Sequence, residues 1–510
     1  MCGYVYVSSR KRTAKSIDPL VGKHRGPDST GEVNLDWCVF RHWRLSIQDL
    51  SSRSDQPYSF GGCHLIYNGE LYDYKELGLK IFSESFVSDT QLLFHVLYND
   101  FFDKIKDESG FYSFVFIKEL SKEVFAARDW FGKKPLYYFF DDDLLIIGSE
   151  ERAIRQVAHQ YGKDLQVNPE SIAHYLKYKD LHFGMTYYQS IFEIPPGSTL
   201  RFDFEEWKVI NSKSWEEYYY AAPFYSADVS AAVASGGAFD VVAQSLITSI
   251  EKRFNADVPV QLALSGGVDS SLVAVVAQEK NKDISRVLTV SSVSRPSELF
   301  KSKKLCESFG LAQTVVDFDS VDTLDLLRKS VYAQGGPLSH PHSLALFLLA
   351  QETATQGRVL ITGEGADELM YGYGHYLSGK PAFAFLEHVD LCEIFHFKPE
   401  QKKWTPKKIN LARYLVNNNY RDLDIKTHLL SLLRRNDRMS MHHSVEVRSA
   451  FLDVHLFRDV IRQQHIYENI KGKEFLAEMV HSRFQGYSLD REKIGFYVPV
   501  DGWLDGHIKE

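Results

Sequence analysis

The chain has 510 residues, 44% of them hydrophobic and 25% charged, with a formal net charge of -8. That length exceeds what one ordinary core supports, so two or more domains are expected, and the mild acidity gives no reason to invoke a nucleic-acid or membrane partner. There is no apolar run of about eighteen residues and no basic–apolar leader pattern, so neither a membrane span nor a secretory leader is expected. Five scattered cysteines (Cys2, Cys38, Cys63, Cys306, Cys392), none in a C-x-x-C pair, suit a reduced, cytoplasmic setting rather than a disulfide framework.

Gly3-Tyr-Val-Tyr-Val alternates aromatic and β-branched residues and predicts a strand almost from the first residue. If Met1 is removed, Cys2 carries both a thiol and a free α-amino group. An α-amino group titrates at roughly 7.7–8, so it can serve as a general base near neutral pH for a nucleophilic thiol on the same residue. Taken alone, Cys2 reads first as a small buried hydrophobe.

Further features follow in order. His24-Arg25-Gly26-Pro27-Asp28 is a charged turn, and Arg44-Leu45-Ser46-Ile47 leads toward Asp55-Gln56-Pro57. Ile66-Tyr67-Asn68-Gly69-Glu70 is a strand ending in an Asn-Gly turn signal, and Ser88-Asp89-Thr90 opens an amphipathic run. Ala127-Arg128-Asp129 runs on to Gly132-Lys-Lys-Pro135. Alone, Arg44 is also readable as a surface charge and Asp89 as a helix N-cap. In order and spacing this set resembles the class II glutamine amidotransferases over nearly all of residues 2–200. The resemblance implies an αββα N-terminal-nucleophile glutaminase domain in which Cys2 attacks the side-chain amide of L-glutamine. It further implies that the Asn68 side chain and the Gly69 backbone N–H form the oxyanion hole. Arg44 would grip the substrate carboxylate, and Glu70 and Asp89 its α-amino group.

After Trp215 come tyrosines, then small residues up to Gly237, with weak apolar periodicity. The expected organisation is a glutaminase domain at 2–205, a linker at 206–235 and a second domain at 236–510. In that second part, Val258 to Leu264 reads as a buried strand and Leu272 onward as a helix. The turn between them is Ser265-Gly266-Gly267-Val268-Asp269-Ser270-Ser271. Its glycines let backbone amides approach a phosphate, and the following helix aims its free N–H groups at the same spot. No lysine is present, so this is not the kinase-type phosphate loop. It suits a pyrophosphate that leaves as one unit, with Asp269 able to hold an accompanying Mg²⁺. A Gly-Gly turn alone is ordinary. The whole string resembles the pyrophosphate loop of ATP-pyrophosphatases.

Val287–Val290 and Arg358–Thr362 are further strands, the latter ending in Gly363-Glu364-Gly365-Ala366-Asp367-Glu368. Strands alternating with helices predict a parallel sheet flanked by helices, with ligands at the carboxyl ends of the strands. Glu364 is a candidate base for attacking ammonia and Asp367 a second metal carboxylate beside Asp269, although Asp367 and Glu368 can also serve as helix caps. Leu433 to Asp453 mixes charged and apolar residues too closely for one clean face, which predicts buried ion pairs lining a site. Lys493 is either a charge stabiliser for departing phosphate or a solvated loop lysine. The basic run Lys402 to Lys408 reads as a solvated loop, not a nucleic-acid contact.

Both halves together, over nearly all 510 residues, resemble the glutamine-hydrolysing asparagine synthetase family. The resemblance implies ATP as co-substrate, contacted by Leu264, Val290, Thr362 and Gly363, with pyrophosphate held from Ser265 to Ser271. It implies Glu364 as the ammonia-side base, Lys493 as catalytic, and a tunnel carrying ammonia from Cys2 to an acyl-adenylate. L-aspartate is the default acceptor, giving asparagine, AMP and pyrophosphate; a homodimer is the candidate assembly. Two departures bear on the acceptor: Ser291 to Glu298 offers one acid where many relatives carry a pair, and Gly335 to Ser343 is histidine-rich. They leave a sugar acid, a peptide or a natural-product carboxylate as the alternative. His340 and His342 are acceptor-site or structural histidines, or metal ligands still lacking a third partner.

Overall fold

The computed structural model describes residues 2–11, 13–213, 217–218, 238–292, 296–373, 376, 420–463 and 473–485. The chain divides into two compact units, Met1–Pro223 with Ser378–Arg434, and Phe224–Leu377 with Arg435–Glu510.

The first unit contains twelve described strands: β1 (Gly3–Ser9), β2 (Ser29–Asn34), β3 (Cys38–Arg44), β4 (Tyr58–Phe60), β5 (Cys63–Leu71), β6 (Gly110–Lys118), β7 (Glu123–Arg128), β8 (Tyr137–Phe140), β9 (Leu144–Gly148), β10 (Ile191–Glu193), β11 (Thr199–Asp203) and β12 (Lys208–Asn211). They form two antiparallel sheets of six, ordered β10-β8-β9-β1-β3-β2 and β12-β11-β7-β6-β5-β4. Helices α1 (Tyr74–Phe82) and α2 (Asp89–Tyr98) cover one outer face, and α3 (Glu151–Gln160) the other; α4 (Pro169–Tyr178) follows. Period-two alternation places the layers. On β1, Tyr4 and Tyr6 turn inward to a core shared with Phe40, Ile66, Val115 and Leu145. Val5 and Val7 turn outward against Ile154 and Val157 of α3. Both faces of β1 are therefore buried, each large apolar side chain contributing roughly 1.5–3 kcal/mol. This is the expected αββα arrangement. The sheet runs on past residue 205, because β12 pairs with β11 from Lys208 to Asn211.

His42, on β3, is fully buried and its Nε2 lies 3.0 Å from the Tyr67 carbonyl. Burial, against that hydrogen bond, pushes its pKa down to about 3. An unfolded chain protonates it near its ordinary value, so between about pH 6.5 and 3 the unfolded state binds the extra proton. Stability is therefore lost as pH falls through that window, by up to roughly 1.4 kcal/mol per pH unit from this group. Urea unfolding followed between pH 7 and 5 should show a shallower acid loss in His42→Gln than in the wild type.

The second unit carries a five-stranded parallel sheet, order β15-β14-β13-β16-β17, from β13 (Val260–Ala263), β14 (Arg286–Ser291), β15 (Gln313–Asp317), β16 (Val359–Thr362) and β17 (Glu446–Ser449). Its helices are α5 (Ala238–Lys252), α6 (Val268–Glu279), α7 (Pro296–Phe309), α8 (Thr323–Gln334), α9 (Ser343–Thr353) and the short α10 (Ala366–Leu369). Beyond them come α11 (Tyr420–Lys426) in the first unit, α12 (His428–Met441), then α13 (Val454–Arg462) and α14 (Glu474–Arg483) in the second. Leu288, Leu360, Ala350 and Val445 form one core patch, and Phe347 of α9 joins Met439 in another. The strand order reverses between β13 and β16, so the loops after these two strands open one crevice at their carboxyl ends.

The boundary between the units falls within α12, after Arg434. Arg434 reaches Asp180 at 2.9 Å and Glu193 at 2.9 Å, and Glu193 is also bound by Arg128 at 3.0 Å. In the second unit Arg448 pairs with Glu446 at 2.5 Å and Arg253 with Asp453 at 3.2 Å, all buried. The ion pairing anticipated for residues 433–453 is present. Among the described residues no helix is long and apolar enough to cross a membrane.

Candidate functional site

Cys2 precedes β1 and is 7% exposed. Its N–H donates to Asn68 Oδ1 at 3.0 Å, and its carbonyl accepts from Arg25 Nε at 3.1 Å. Burial pushes the thiol up; the chain's N-terminal charge, the Leu45 backbone N–H and Arg44 pull the other way without overcoming it. A thiol in this state needs a base at the moment of attack.

Asn68 sits on β5, fully buried. With Oδ1 fixed on Cys2, its Nδ2 has no hydrogen-bond partner among the described residues. A buried amide donor left unpaired is costly unless something arrives to accept from it, and a negative oxygen generated beside Cys2 is such an acceptor. Gly69 faces Tyr112 across the ladder; a Cβ there would lie 2.1 Å from the Phe111 carbonyl, so only glycine lets the strands close. Glu70 is buried in the same strand.

Asp89 is the first residue of α2, while the cap itself is Ser88, whose hydroxyl accepts from Gln91 N at 3.2 Å. The capping role considered for Asp89 therefore belongs to its neighbour. Asp89 Oδ2 accepts from the Tyr67 hydroxyl at 2.9 Å and Leu71 N at 3.2 Å, which fixes the end of β5. Arg44 is buried and donates through NH1 to Ser51 O and Asp55, both at 2.7 Å, and through NH2 to Gln48 O and Asp49 O. It braces the 48–55 loop.

In the second unit, Leu264 leaves β13 with its N–H on Leu288 O at 2.9 Å and its carbonyl on the Thr289 hydroxyl at 2.7 Å. The turn that follows is knitted by its own hydroxyls: Ser270 Oγ accepts from Ser265 N at 3.2 Å, and Ser265 Oγ accepts from Gly267 N at 3.3 Å. Gly266 has φ +78°, and a Cβ there would lie 2.7 Å from Glu298 O. Gly267 caps α6 without a side-chain hydrogen bond, so the first N–H groups of a twelve-residue helix have no side-chain cap. Ser271 Oγ and Thr362 Oγ1 are buried and unpartnered among the described residues. Val290 is half-buried on β14. Gly363, just after β16, packs against the turn; a Cβ there would be 2.9 Å from Asp269 Cβ.

Asp269 and Asp367 converge on one cation, the ammonium of Lys473, which is 2.5 Å from Asp367 Oδ1 and bonded to Asp269 Oδ2. Burial pulls the Lys473 pKa down, but the two aspartates outweigh it and hold it above the ordinary lysine value. A Cβ at Gly372 would lie 2.4 Å from Lys473 Cε, so a side chain there would evict the lysine. Two carboxylates meeting at one point are the donor type that shares Mg²⁺ with phosphate oxygens and water in nucleotide sites; here the Lys473 ammonium holds that point. Among the described residues no cluster of three metal-ligating side chains occurs, His340 and His342 included.

Lys473 went unread in the sequence, where Lys493 was the candidate; Lys493 lies outside the described residues. The place of Lys473 at the N-cap of α14, the helix end that disfavours a cation, shows only in the structure. Glu364 is held by Arg435 at 2.8 Å, and Arg435 also donates to Asn436 Oδ1 at 3.0 Å. Glu368, fully buried, accepts from the Tyr373 hydroxyl at 2.6 Å, and burial with Asp367 and Glu364 nearby raises it to about 8.

A family model described as asparagine synthase matches residues 241–510, and one described as a glutamine amidotransferase domain matches residues 1–216. Glutamine-hydrolyzing asparagine synthetase 1 of Bacillus subtilis (strain 168) is 27% identical over 580 aligned residues, covering 100% of this chain and 89% of that protein. Glutamine-hydrolyzing asparagine synthetase 3 of the same organism is 26% identical over 497 residues, covering 87% and 76%. A protein named amidase chry2 from Gibberella zeae is 28% identical over 377 residues, covering 69% of this chain and 54% of its own.

Proposed function

Since this chain belongs to the asparagine synthase family and is a glutamine-hydrolysing, ATP-using ligase of that type, we propose that it transfers glutamine nitrogen to the side-chain carboxylate of L-aspartate. In this reading the glutaminase begins at Cys2 and takes in β12, which closes its second sheet at Asn211, a linker follows, and residues from 236 onward carry the synthetase, in a reduced, cytoplasmic setting; a homodimer is the candidate assembly.

Cys2, freed of Met1, loses its thiol proton to its own α-amino group, and the sulfur attacks the glutamine amide carbon. The Asn68 Nδ2 and Gly69 N–H groups take the oxyanion; Glu70 and Asp89 hold the substrate amine and Arg44 its carboxylate. The α-amino group returns its proton to the departing ammonia, water cleaves the thioester, and the ammonia becomes the nucleophile used at the second site. There the acceptor carboxylate attacks the α-phosphorus of ATP, and pyrophosphate departs into the cradle from Ser265 to Ser271. Leu264, Val290, Thr362 and Gly363 flank the nucleotide. Mg²⁺ held by Asp269 and Asp367 would neutralise charge on the phosphates, and Lys473 supplies a further positive charge. Glu364, oriented by Arg435, takes a proton as ammonia adds to the acyl carbon and AMP leaves.

The observation that carries the first half is the buried Asn68 Nδ2, beside Cys2 and without a hydrogen-bond partner among the described residues. The second reading keeps the machinery and changes the acceptor. It is favoured by the single acid in Ser291 to Glu298 and the histidine-rich Gly335 to Ser343. With glutamine and aspartate supplied, asparagine, AMP and pyrophosphate should form in equal amounts. A panel of carboxylic acids scored by pyrophosphate release separates the readings: turnover with a sugar acid or peptide and none with aspartate sinks the first. Formation of ADP would sink both.

A further inference from the structure

We infer that Glu150 is a positioning residue for the nucleophile, acting through Arg25. This rests on the reading of Cys2 given above. The β1 ladder begins at Gly3, paired with Trp43, so Cys2 lies outside it. Once Met1 is gone, Cys2 is tied to the fold by one peptide bond, and terminal residues fray unless anchored. Its nitrogen is held by Asn68 and its carbonyl by Arg25. The carbonyl contact matters because it fixes the Cys2–Gly3 peptide plane, which could otherwise turn about the single bonds on either side of it and swing the amine and sulfur off the oxyanion donors.

Arg25 can do this only if its guanidinium plane is itself fixed. It is 1% exposed, and its NH1 donates to Glu150 Oε1 at 2.9 Å. Glu150, 3% exposed, stands at the N-cap of α3 yet caps nothing with its side chain. Its carboxylate is turned instead to Arg25, to His24 Nε2 at 3.0 Å and to Arg152 NH2 at 3.4 Å. The residue before it is tied to β1: Ser149 N–H donates to Tyr4 O at 3.2 Å, and Tyr4 N–H donates to Ser149 Oγ at 3.3 Å. Gly3 completes the fit: a Cβ there would come within 3.1 Å of Arg25. A planar arginine fork held by a charged carboxylate at one end and a carbonyl at the other is a rigid strut. The strut sets the angle of Cys2 without touching substrate.

Glu150→Gln keeps the size but removes the charge that fixes Arg25. Glutamine hydrolysis should then lose kcat by about 10²-fold, the scale of a misplaced reacting group, with KM for glutamine nearly unchanged. Alkylation of Cys2 by iodoacetamide should slow and its pH profile should shift, which a merely structural loss would not cause. Ammonia-dependent pyrophosphate release should stay at the wild-type rate and report intact folding. Cys2→Ala is assayed alongside. If it still hydrolyses glutamine, the underlying reading of Cys2 has failed. If Cys2→Ala is inactive but Glu150→Gln retains wild-type kcat and alkylation, the role of Glu150 alone is overturned. Parallel loss of both activities with a lowered melting temperature likewise overturns it.

Discussion

Cys2→Ala should lower glutamine-dependent amide formation by more than about 10³-fold, the scale on which loss of a covalent nucleophile is felt. Activity with ammonium supplied directly should remain near that of the wild type. The split follows from where the chemistry resides. Cys2 is fixed by Asn68 and Arg25 in the first unit, and the phosphate cradle is built from the turn after β13 in the second. Removing one sulfur leaves the cradle untouched. The measurement is pyrophosphate release with each nitrogen source in turn. Loss of both activities, or of neither, would remove Cys2 from its assigned role.

The second large effect is expected at Lys473. Lys473→Met leaves Asp269 and Asp367 facing each other without their shared ammonium, and breaking a partly buried ion pair from one side costs about 3–5 kcal/mol locally. Pyrophosphate release should fall about 10²–10³-fold, comparable with losing one charge-stabilising donor, while glutamine hydrolysis persists. Lys473→Arg should not rescue it, because a broad planar guanidinium does not replace one compact ammonium shared by Asp269 and Asp367. Lys493→Met run beside it decides between the two lysines. Wild-type pyrophosphate release by Lys473→Met would return the role to Lys493.

Local patterns made much of this legible. Tyr4-Val5-Tyr6-Val7 declared a strand, and the structure shows why its alternation is aromatic on one side and aliphatic on the other: the two faces feed different cores. The Ser-Gly-Gly turn was visible because glycine at φ +78° and a helix N-terminus have a sequence signature. What stayed hidden was long-range. No local pattern places Lys473 between two aspartates 204 and 106 positions away, or Arg435 on Glu364, since ion-pair partners carry no spacing rule. Asp89 was half legible: its position at a helix start was clear, but the cap fell to Ser88 and the carboxylate was drawn to Tyr67 and Leu71. The end of the first domain was blurred because β12, at a sheet edge and largely exposed, carries little apolar signal.

The placement of Arg434 has a practical outcome for anyone wishing to excise the amidotransferase as a free-standing fragment. A gene shortened after residue 216 would encode every strand of the double sheet yet omit α11 and the opening turns of α12, which belong to the same body. Glu193 would retain one of its two arginines and Asp180 would forfeit Arg434. Such a fragment would carry a poorly neutralised interior acid that the intact polypeptide never faces, and a permuted chain that returns residues 420–434 to the fragment is the better starting point.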